Sequence, residues 1–136
     1  MSNVLKLLAA SMLAMAAAAG CDRDNCVDVQ CAPAPPPLTV LVKDSATAPQ
    51  FATDAQVTLW QVNGADTVVF GTLSLSSDSS YVLNDAAGLP SNPLIVRAMR
   101  GQRCGKQTGL RLRVVEGCCG YPIVGRCTVV LADTCR

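Results

Sequence analysis

The chain contains no histidine, so it lacks the side chain that most often serves as a general base and as a metal ligand. The G-x-S-x-G nucleophile motif and the phosphate-binding G-x-x-x-x-G-K-[ST] motif are missing as well. No two cysteines form a C-x-x-C pair, the usual arrangement in zinc sites. The sequence therefore predicts no enzyme, no cofactor and no metal site, and nothing in it indicates nucleic-acid binding.

Aromatic residues and long apolar runs are also scarce. Aromatics make up 4% of the chain, so a core must come mainly from Val and Leu, which suits packed sheets. The apolar run 7–19 follows Lys6 and spans 13 residues. That is too short for a membrane-spanning helix of about 20 residues, but it has the length of a signal-peptide core. We therefore predict a helical signal peptide at residues 1–20.

Residues 18–21 read Ala-Ala-Gly-Cys and come directly after this run. The tetrapeptide resembles the lipobox of bacterial lipoproteins, with Ala18 where leucine is usual. The resemblance implies cleavage between Gly20 and Cys21 and acylation of the Cys21 thiol, for example with palmitate. Two or more acyl chains would attach the protein stably to a membrane.

Ordinary secretion is the alternative, because Ala17 and Ala19 fit an A-x-A cleavage site that would leave Cys21 unmodified. If Cys21 is lipidated, the expected location is the bacterial cell envelope, lipid-anchored and facing the periplasm. In enterobacterial lipoproteins an aspartate after the modified cysteine is an inner-membrane signal, so Asp22 favours the inner membrane, with the outer membrane as the alternative.

Eight cysteines are present, and in an exported protein disulfide bonds are their expected state. Lipidation of Cys21 leaves an odd number, whereas ordinary secretion leaves eight that can all pair. The adjacent Cys118 and Cys119 could form a strained redox switch with each other, but we expect them to bond different partners from opposite faces of a strand. The disulfide candidates are Cys26, Cys31, Cys104, Cys118, Cys119, Cys127 and Cys135.

The mature chain divides into two parts by composition. Residues 21–37 carry the predicted lipidated cysteine and end in a stretch with four prolines in five positions, 33–37. Such a stretch favours extended polyproline II structure, which predicts a tether. Residues 38–136 are predicted to form one disulfide-braced domain.

Seven short apolar or alternating stretches, separated by turn residues such as Asn63-Gly64, follow the tether. In one of them Val57 and Leu59 alternate with the polar Gln56 and Thr58. The pattern predicts an all-β fold, an antiparallel Greek-key β-sandwich of about seven strands. The predicted strands are 38–43, 55–62, 67–74, 81–83, 94–100, 108–116 and 123–131.

The strand 38–43, the acidic turn Asp44-Ser45 and the alternating AQVTLW stretch at 55–60 resemble the opening of the carboxypeptidase regulatory-like (transthyretin-like) sandwich family. The strands that begin at Tyr81 and Leu94 fit the same order, so the resemblance covers residues 38–100. It implies a module that stabilises, presents or binds other molecules without catalysis.

Charge is divided unevenly along the chain: residues 22–93 hold eight acids and two bases, and residues 94–136 hold eight bases and two acids. Pairing between the halves across neighbouring strands is the simplest explanation. The alternative is a basic face for an anionic partner, with Arg97, Arg111 and Arg113 as candidates. Trp60, on the polar side of its strand, is either a platform for a sugar or partner, or a cap on the core.

Taken together, these patterns predict a membrane-anchored envelope lipoprotein with a noncatalytic structural or binding β-sandwich. Its expected partners are membrane lipid, through Cys21, and an anionic envelope component or another envelope protein. The alternatives are a secreted soluble binding module and a thiol/disulfide redox protein that uses Cys118 and Cys119.

Overall fold

The structure is a computed structural model that describes residues 29–85, 87–132 and 134–135. The predicted signal peptide, the cleavage and lipidation site at Gly20 and Cys21, Asp22 and the disulfide candidate Cys26 lie outside these residues. In the described part the fold is all-β. Its strands are β1 (Leu38–Lys43), β2 (Gln56–Asn63), β3 (Asp66–Thr72), β4 (Ser74–Leu75), β5 (Tyr81–Leu83), β6 (Leu94–Arg100), β7 (Arg103–Leu110), β8 (Arg113–Val114), β9 (Pro122–Ile123) and β10 (Gly125–Val130).

The strands form two four-stranded sheets and a two-stranded ribbon. Sheet A has the order β10-β1-β5-β4, sheet B has the order β3-β2-β6-β7, and β8 pairs with β9. Hairpins within one sheet, such as β2–β3 and β6–β7, alternate with connections that cross to the other sheet. The result is a sandwich-like arrangement in which each main sheet covers one face of the other.

The core lies between sheets A and B and is made almost entirely of Val and Leu, as the scarcity of aromatic residues predicts. Alternate residues of β1, β2, β5, β6 and β10 point into it, because successive side chains of a strand face opposite sides of a sheet. The one buried aromatic residue in this core is Tyr81, whose hydroxyl accepts a hydrogen bond of 2.8 Å from the backbone N–H of Ala55. Fully buried side chains include Leu38, Val40, Val42, Val57, Leu59, Leu94, Val96 and Val129.

The predicted strand boundaries match β1, β5 and β6, and they are wrong for the segment that directly follows Arg100. Gly101, with φ of 60°, opens a two-residue loop that turns the chain at once, so that β7 begins at Arg103 and Arg100 pairs with Arg103. The sequence prediction placed a longer turn there and one strand at 108–116. Within that span β7 ends at Leu110 and β8 is a separate short strand, in which Val114 is 67% exposed.

A second difference from the prediction is the pairing of β10. This strand lies parallel to β1, with Leu38 opposite Gly125 and Lys43 opposite Val130, whereas the other strand pairs are antiparallel. After β10 the chain continues beside the start of β7, where the N–H of Ala132 donates to the carbonyl of Cys104 over 2.7 Å. The end of the described chain therefore lies against the β7 edge of sheet B.

Two disulfides join pairs of described residues. Cys104–Cys135 fastens the carboxyl-terminal segment to β7, and Cys31–Cys119 joins residues that are 88 positions apart. The carbonyl of Pro37 also accepts hydrogen bonds from the N–H groups of Val124 and Gly125. The last residues of the predicted tether, 31–37, are thus held to the domain at both ends. In the described part of the chain no helix has the length and apolar character needed to cross a bilayer.

Candidate binding groove on sheet B

The face of sheet B that points away from the core forms an open groove of about 1130 Å³. It is made by the side chains that alternate with the core residues on β2, β3, β6 and β7, and Val130, Ala132 and Thr134 line its far side. Gly105 allows the end of β10 to lie close against β7, because a Cβ at that position would lie 2.3 Å from the carbonyl oxygen of Val130. We call this surface the outer groove. Its side chains include Gln56, Thr58, Trp60, Val69, Thr72, Arg97, Met99, Lys106, Val130, Ala132 and Thr134.

Trp60 lies in this groove rather than in the core. Its indole N–H donates a 2.8 Å hydrogen bond to the hydroxyl of Thr58, two residues earlier on the same face of β2. The guanidinium carbon of Arg97 lies 4.2 Å from the centre of the indole ring. This cation–π contact orients the exposed Arg97 side chain over the ring. Trp60 therefore serves to position Arg97 on the outer face of the sheet and is not a cap on the core.

Lys106 is the second cation of the groove, and it is not among the anion-binding residues predicted from the sequence. It is the direct cross-strand neighbour of Arg97, on β7 opposite β6. Among the described residues, no acidic side chain lines the outer groove and no ion pair involves Arg97 or Lys106. The signal that could have identified Lys106 is the register of the β6–β7 hairpin, which follows from the tight turn at Gly101.

A different pair of cations on the same hairpin is neutralised within the chain. Arg100 and Arg103, also cross-strand neighbours, share the carboxylate of Asp44, with N–O distances of 2.5 Å and 3.1 Å respectively. Arg100 also contacts Asp54 at 2.8 Å. Hydrogen bonds to Asp44 and Asp54 raise the pKa of Arg100 above its usual value. Pairing between the acidic and basic parts of the sequence therefore accounts for Arg100 and Arg103.

The three arginines predicted to contact an anion do not come together. Arg97 lies in the outer groove, whereas Arg111 and Arg113 lie at the other end of β7, outside the residues that line the groove. Arg111 belongs to the short link between β7 and β8, and Arg113 begins β8, so the two do not share one regular strand. Only Arg97 of this set belongs to the candidate site.

The cysteines offer no pair of thiols for redox chemistry in the described part of the chain. Cys119 is bonded to Cys31, and Cys118 is also disulfide-bonded, so the two neighbours do not bond to each other. Cys127 is the one free cysteine among the described residues. It packs against the core from β10, and burial raises the pKa of its thiol to about 11, which leaves almost no reactive thiolate at neutral pH.

No cluster of three or more potential metal ligands occurs among the residues that the structure describes. Comparisons with known proteins give no match: no protein-family model, no curated protein and no solved structure is similar to this chain. The case for a function therefore depends on the chain's own residues, and the outer groove is its best-formed candidate site.

Proposed function

We propose that this protein is a lipid-anchored, noncatalytic binding module of the bacterial cell envelope, and that the outer groove is its binding surface. The anchor would be the acylated thiol of Cys21, and the module would face the periplasm. The observation that carries the binding role is the groove itself, in which an oriented arginine and a lysine lie exposed without an acidic partner among the described residues.

The count of cysteines supports the anchor. The chain has eight cysteines, and Cys127 is a free thiol packed against the core. The seven others cannot all pair within one chain, so one more cysteine must remain outside intrachain disulfides. Acylation of Cys21 accounts for this cysteine, whereas ordinary secretion would leave a second free thiol in an oxidising compartment.

The disulfides are compatible with an exported protein, since such bonds persist mainly in oxidising compartments. The redox alternative finds less support, because Cys119 is bonded to Cys31 and the free thiol of Cys127 has a raised pKa. The groove favours a binding role over a purely structural one, because a structural module needs no exposed cations arranged around an aromatic ring.

Intact mass of the full chain purified from its native host tests the anchor. We expect a mature protein that begins at Cys21 and carries acyl chains, and that is found in the membrane fraction. The Cys21→Ser variant should lose both the added mass and the membrane association. A mature chain that begins with an unmodified Gly20 would contradict the anchor and favour the secreted binding module.

Cosedimentation tests the binding role without assuming a ligand. The full chain is mixed with the insoluble envelope material of its native host after detergent extraction of lipids, and the mixture is pelleted. We expect the wild-type chain to be retained and Arg97→Gln to remain in solution. The matched control is Arg126→Gln, because Arg126 is an exposed arginine on β10 outside the groove. Equal retention of all three proteins would contradict a binding role for the groove.

We also propose that sheets A and B follow the Greek-key order of the carboxypeptidase regulatory-like family. In support, the chain crosses between the sheets after β1, after β3 and after β5, while β2–β3 and β6–β7 remain hairpins. A sequence profile built from close homologues would test this: a match to that family over residues 38–100 supports it, and a match to another sandwich family contradicts it.

A further inference from the structure

Two cross-strand pairs of cations lie close together on the β6–β7 hairpin, and one of them already holds a carboxylate. Arg100 and Arg103 each bind one oxygen of Asp44, so the carboxylate bridges the two strands. The residue Arg97 lies three positions before Arg100 and therefore points to the other face of the sheet. The Arg100/Arg103 pair thus shows how this hairpin binds a carboxylate from within the chain.

The pair of Arg97 and Lys106 has the same cross-strand arrangement but faces the outer groove. Like charges directly opposite each other on neighbouring strands destabilise a sheet. No acid of the described chain offsets this repulsion, and the guanidinium of Arg97 is oriented by Trp60 at 4.2 Å. An external carboxylate between the two cations would relieve the repulsion as Asp44 does for the other pair.

The rest of the groove indicates what kind of molecule carries that carboxylate. Both inner strands, β2 and β6, are paired on both sides, so the groove floor offers side chains and few free backbone groups. An extended peptide would leave its own N–H and C=O groups without the backbone partners that peptide ligands normally find at a sheet edge. A sugar chain has no such requirement.

The polar and apolar groups of the groove suit a sugar chain. Gln56, Thr58 and Thr72 can exchange hydrogen bonds with hydroxyl groups, and the exposed Met99 and Val69 can contact the C–H faces of pyranose rings. A concave surface that crosses several strands also fits a chain molecule better than the flat surface of a bilayer. We propose that the outer groove binds an acidic polysaccharide, and that Arg97 and Lys106 together clamp a uronate carboxylate.

This inference rests on the proposed binding role of the groove, and calorimetry with defined probes tests it separately. The full chain in detergent is titrated with a short oligogalacturonate and, as the matched control, with the same oligosaccharide fully methyl-esterified. We expect binding of the acid and at least roughly tenfold weaker binding of the ester, because charge-assisted hydrogen bonds to the carboxylate are lost. Equal binding of the two would overturn the carboxylate clamp.

Variants identify the clamp residues. Arg97→Gln and Lys106→Gln should each weaken oligogalacturonate binding by roughly tenfold or more, whereas Arg126→Gln should leave it unchanged. Unchanged binding by both groove variants would overturn the assignment. If Arg97 is required for retention of envelope material but oligogalacturonate does not bind, the polysaccharide inference fails and the binding role stands.

Two further probes test whether a different kind of anionic molecule binds in the outer groove. A poly-glutamate peptide presents carboxylates on a peptide chain, and phosphatidylglycerol vesicles present anions on a bilayer. The acyl anchor contributes equally to vesicle binding by the wild type and by Arg97→Gln, so only the difference between them reports on the groove. Arg97-dependent binding of either probe that is tighter than binding of oligogalacturonate would overturn the inference.

Discussion

On strand β2 the side chains of Val57 and Leu59 are fully buried, whereas their neighbours Thr58 and Trp60 lie in the outer groove. On β6 the same alternation separates the buried Val96 from the exposed Arg97. The two faces of sheet B therefore share one backbone and differ in what their side chains contact. The inner face is complementary to sheet A, while the outer face has no counterpart within the described chain, and this asymmetry is what makes it a candidate for binding.

The largest expected effect on stability comes from a substitution on the inner face of sheet B. Leu59→Ala removes a fully buried side chain from the centre of the core. We expect the free energy of unfolding to fall by about 2–5 kcal/mol, measured by urea denaturation. The matched control is Gln56→Ala on the outer face of the same strand, with an expected change within about 0.5 kcal/mol. Equal losses for the two variants would mean that the outer face is covered in solution.

The two pairs of cations on the β6–β7 hairpin also differ between the faces of sheet B, because only the Arg100/Arg103 pair has a carboxylate partner among the described residues. Asp44→Asn removes the carboxylate that Arg100 and Arg103 share, and we expect a loss of about 1 kcal/mol because all three groups are partly exposed. The loss should shrink at high salt, where exposed charges are screened.

Asp54→Asn provides the control for this prediction. Among the described residues Asp54 forms an ion pair with Arg100 and with no other cation, and its side chain is 63% exposed, so a smaller loss is expected. A loss for Asp44→Asn that does not change with salt would show that the contribution of Asp44 is not mainly electrostatic.

The division between inner and outer residues extends to β10 of sheet A, where Cys127 packs against the core and Thr128 is exposed. Burial raises the pKa of the Cys127 thiol from 9.0 to about 11. Between these values the unfolded chain loses its thiol proton more readily than the folded chain. The contribution of Cys127 to stability is thus complete below pH 9 and is lost as the pH rises towards 11.

Denaturation of wild type and Cys127→Ala at several alkaline pH values tests this prediction. We expect the stability of the wild type to decline more steeply over this range than that of the variant. Native Cys127 should also resist iodoacetamide at neutral pH and react once the chain is unfolded. Parallel pH profiles for the two proteins would show that the thiol is accessible to water in the folded state.

Local pattern predicted much of this fold and little of the site. The alternation in β2 and the turn at Asn63-Gly64 are properties of neighbouring residues, so the sheet face of Trp60 could be predicted from sequence. The pairing of Arg97 with Lys106 depends on the tight turn at Gly101, which was predicted as a longer loop, and a change in loop length changes every cross-strand neighbour.

Local sequence patterns do not predict contacts between segments that are distant in the chain. The parallel alignment of β1 with β10 joins the two ends of the domain, and no local signal in either strand specifies its partner. That alignment also brings the end of β10 against Gly105 of β7, next to the residues Val130, Ala132 and Thr134 that line one side of the outer groove. The concave shape of the site therefore depends on contacts between distant segments. The sheet face on which each floor side chain lies can still be predicted from the alternation of residues along its strand.

The smallest expected effect on stability concerns the pair of Arg97 and Lys106. Unlike the other substitutions, this one is expected to stabilise the protein. Lys106→Gln removes one of two adjacent cations but keeps the contact of Arg97 with Trp60, so we expect the free chain to become more stable by a few tenths of a kcal/mol. High salt should abolish the gain. In saturating oligogalacturonate the order should reverse, because a ligand stabilises the form that binds it more tightly. A variant that is less stable than the wild type without ligand would show that Lys106 has a favourable partner within the chain, and the comparison between the two pairs would then no longer hold.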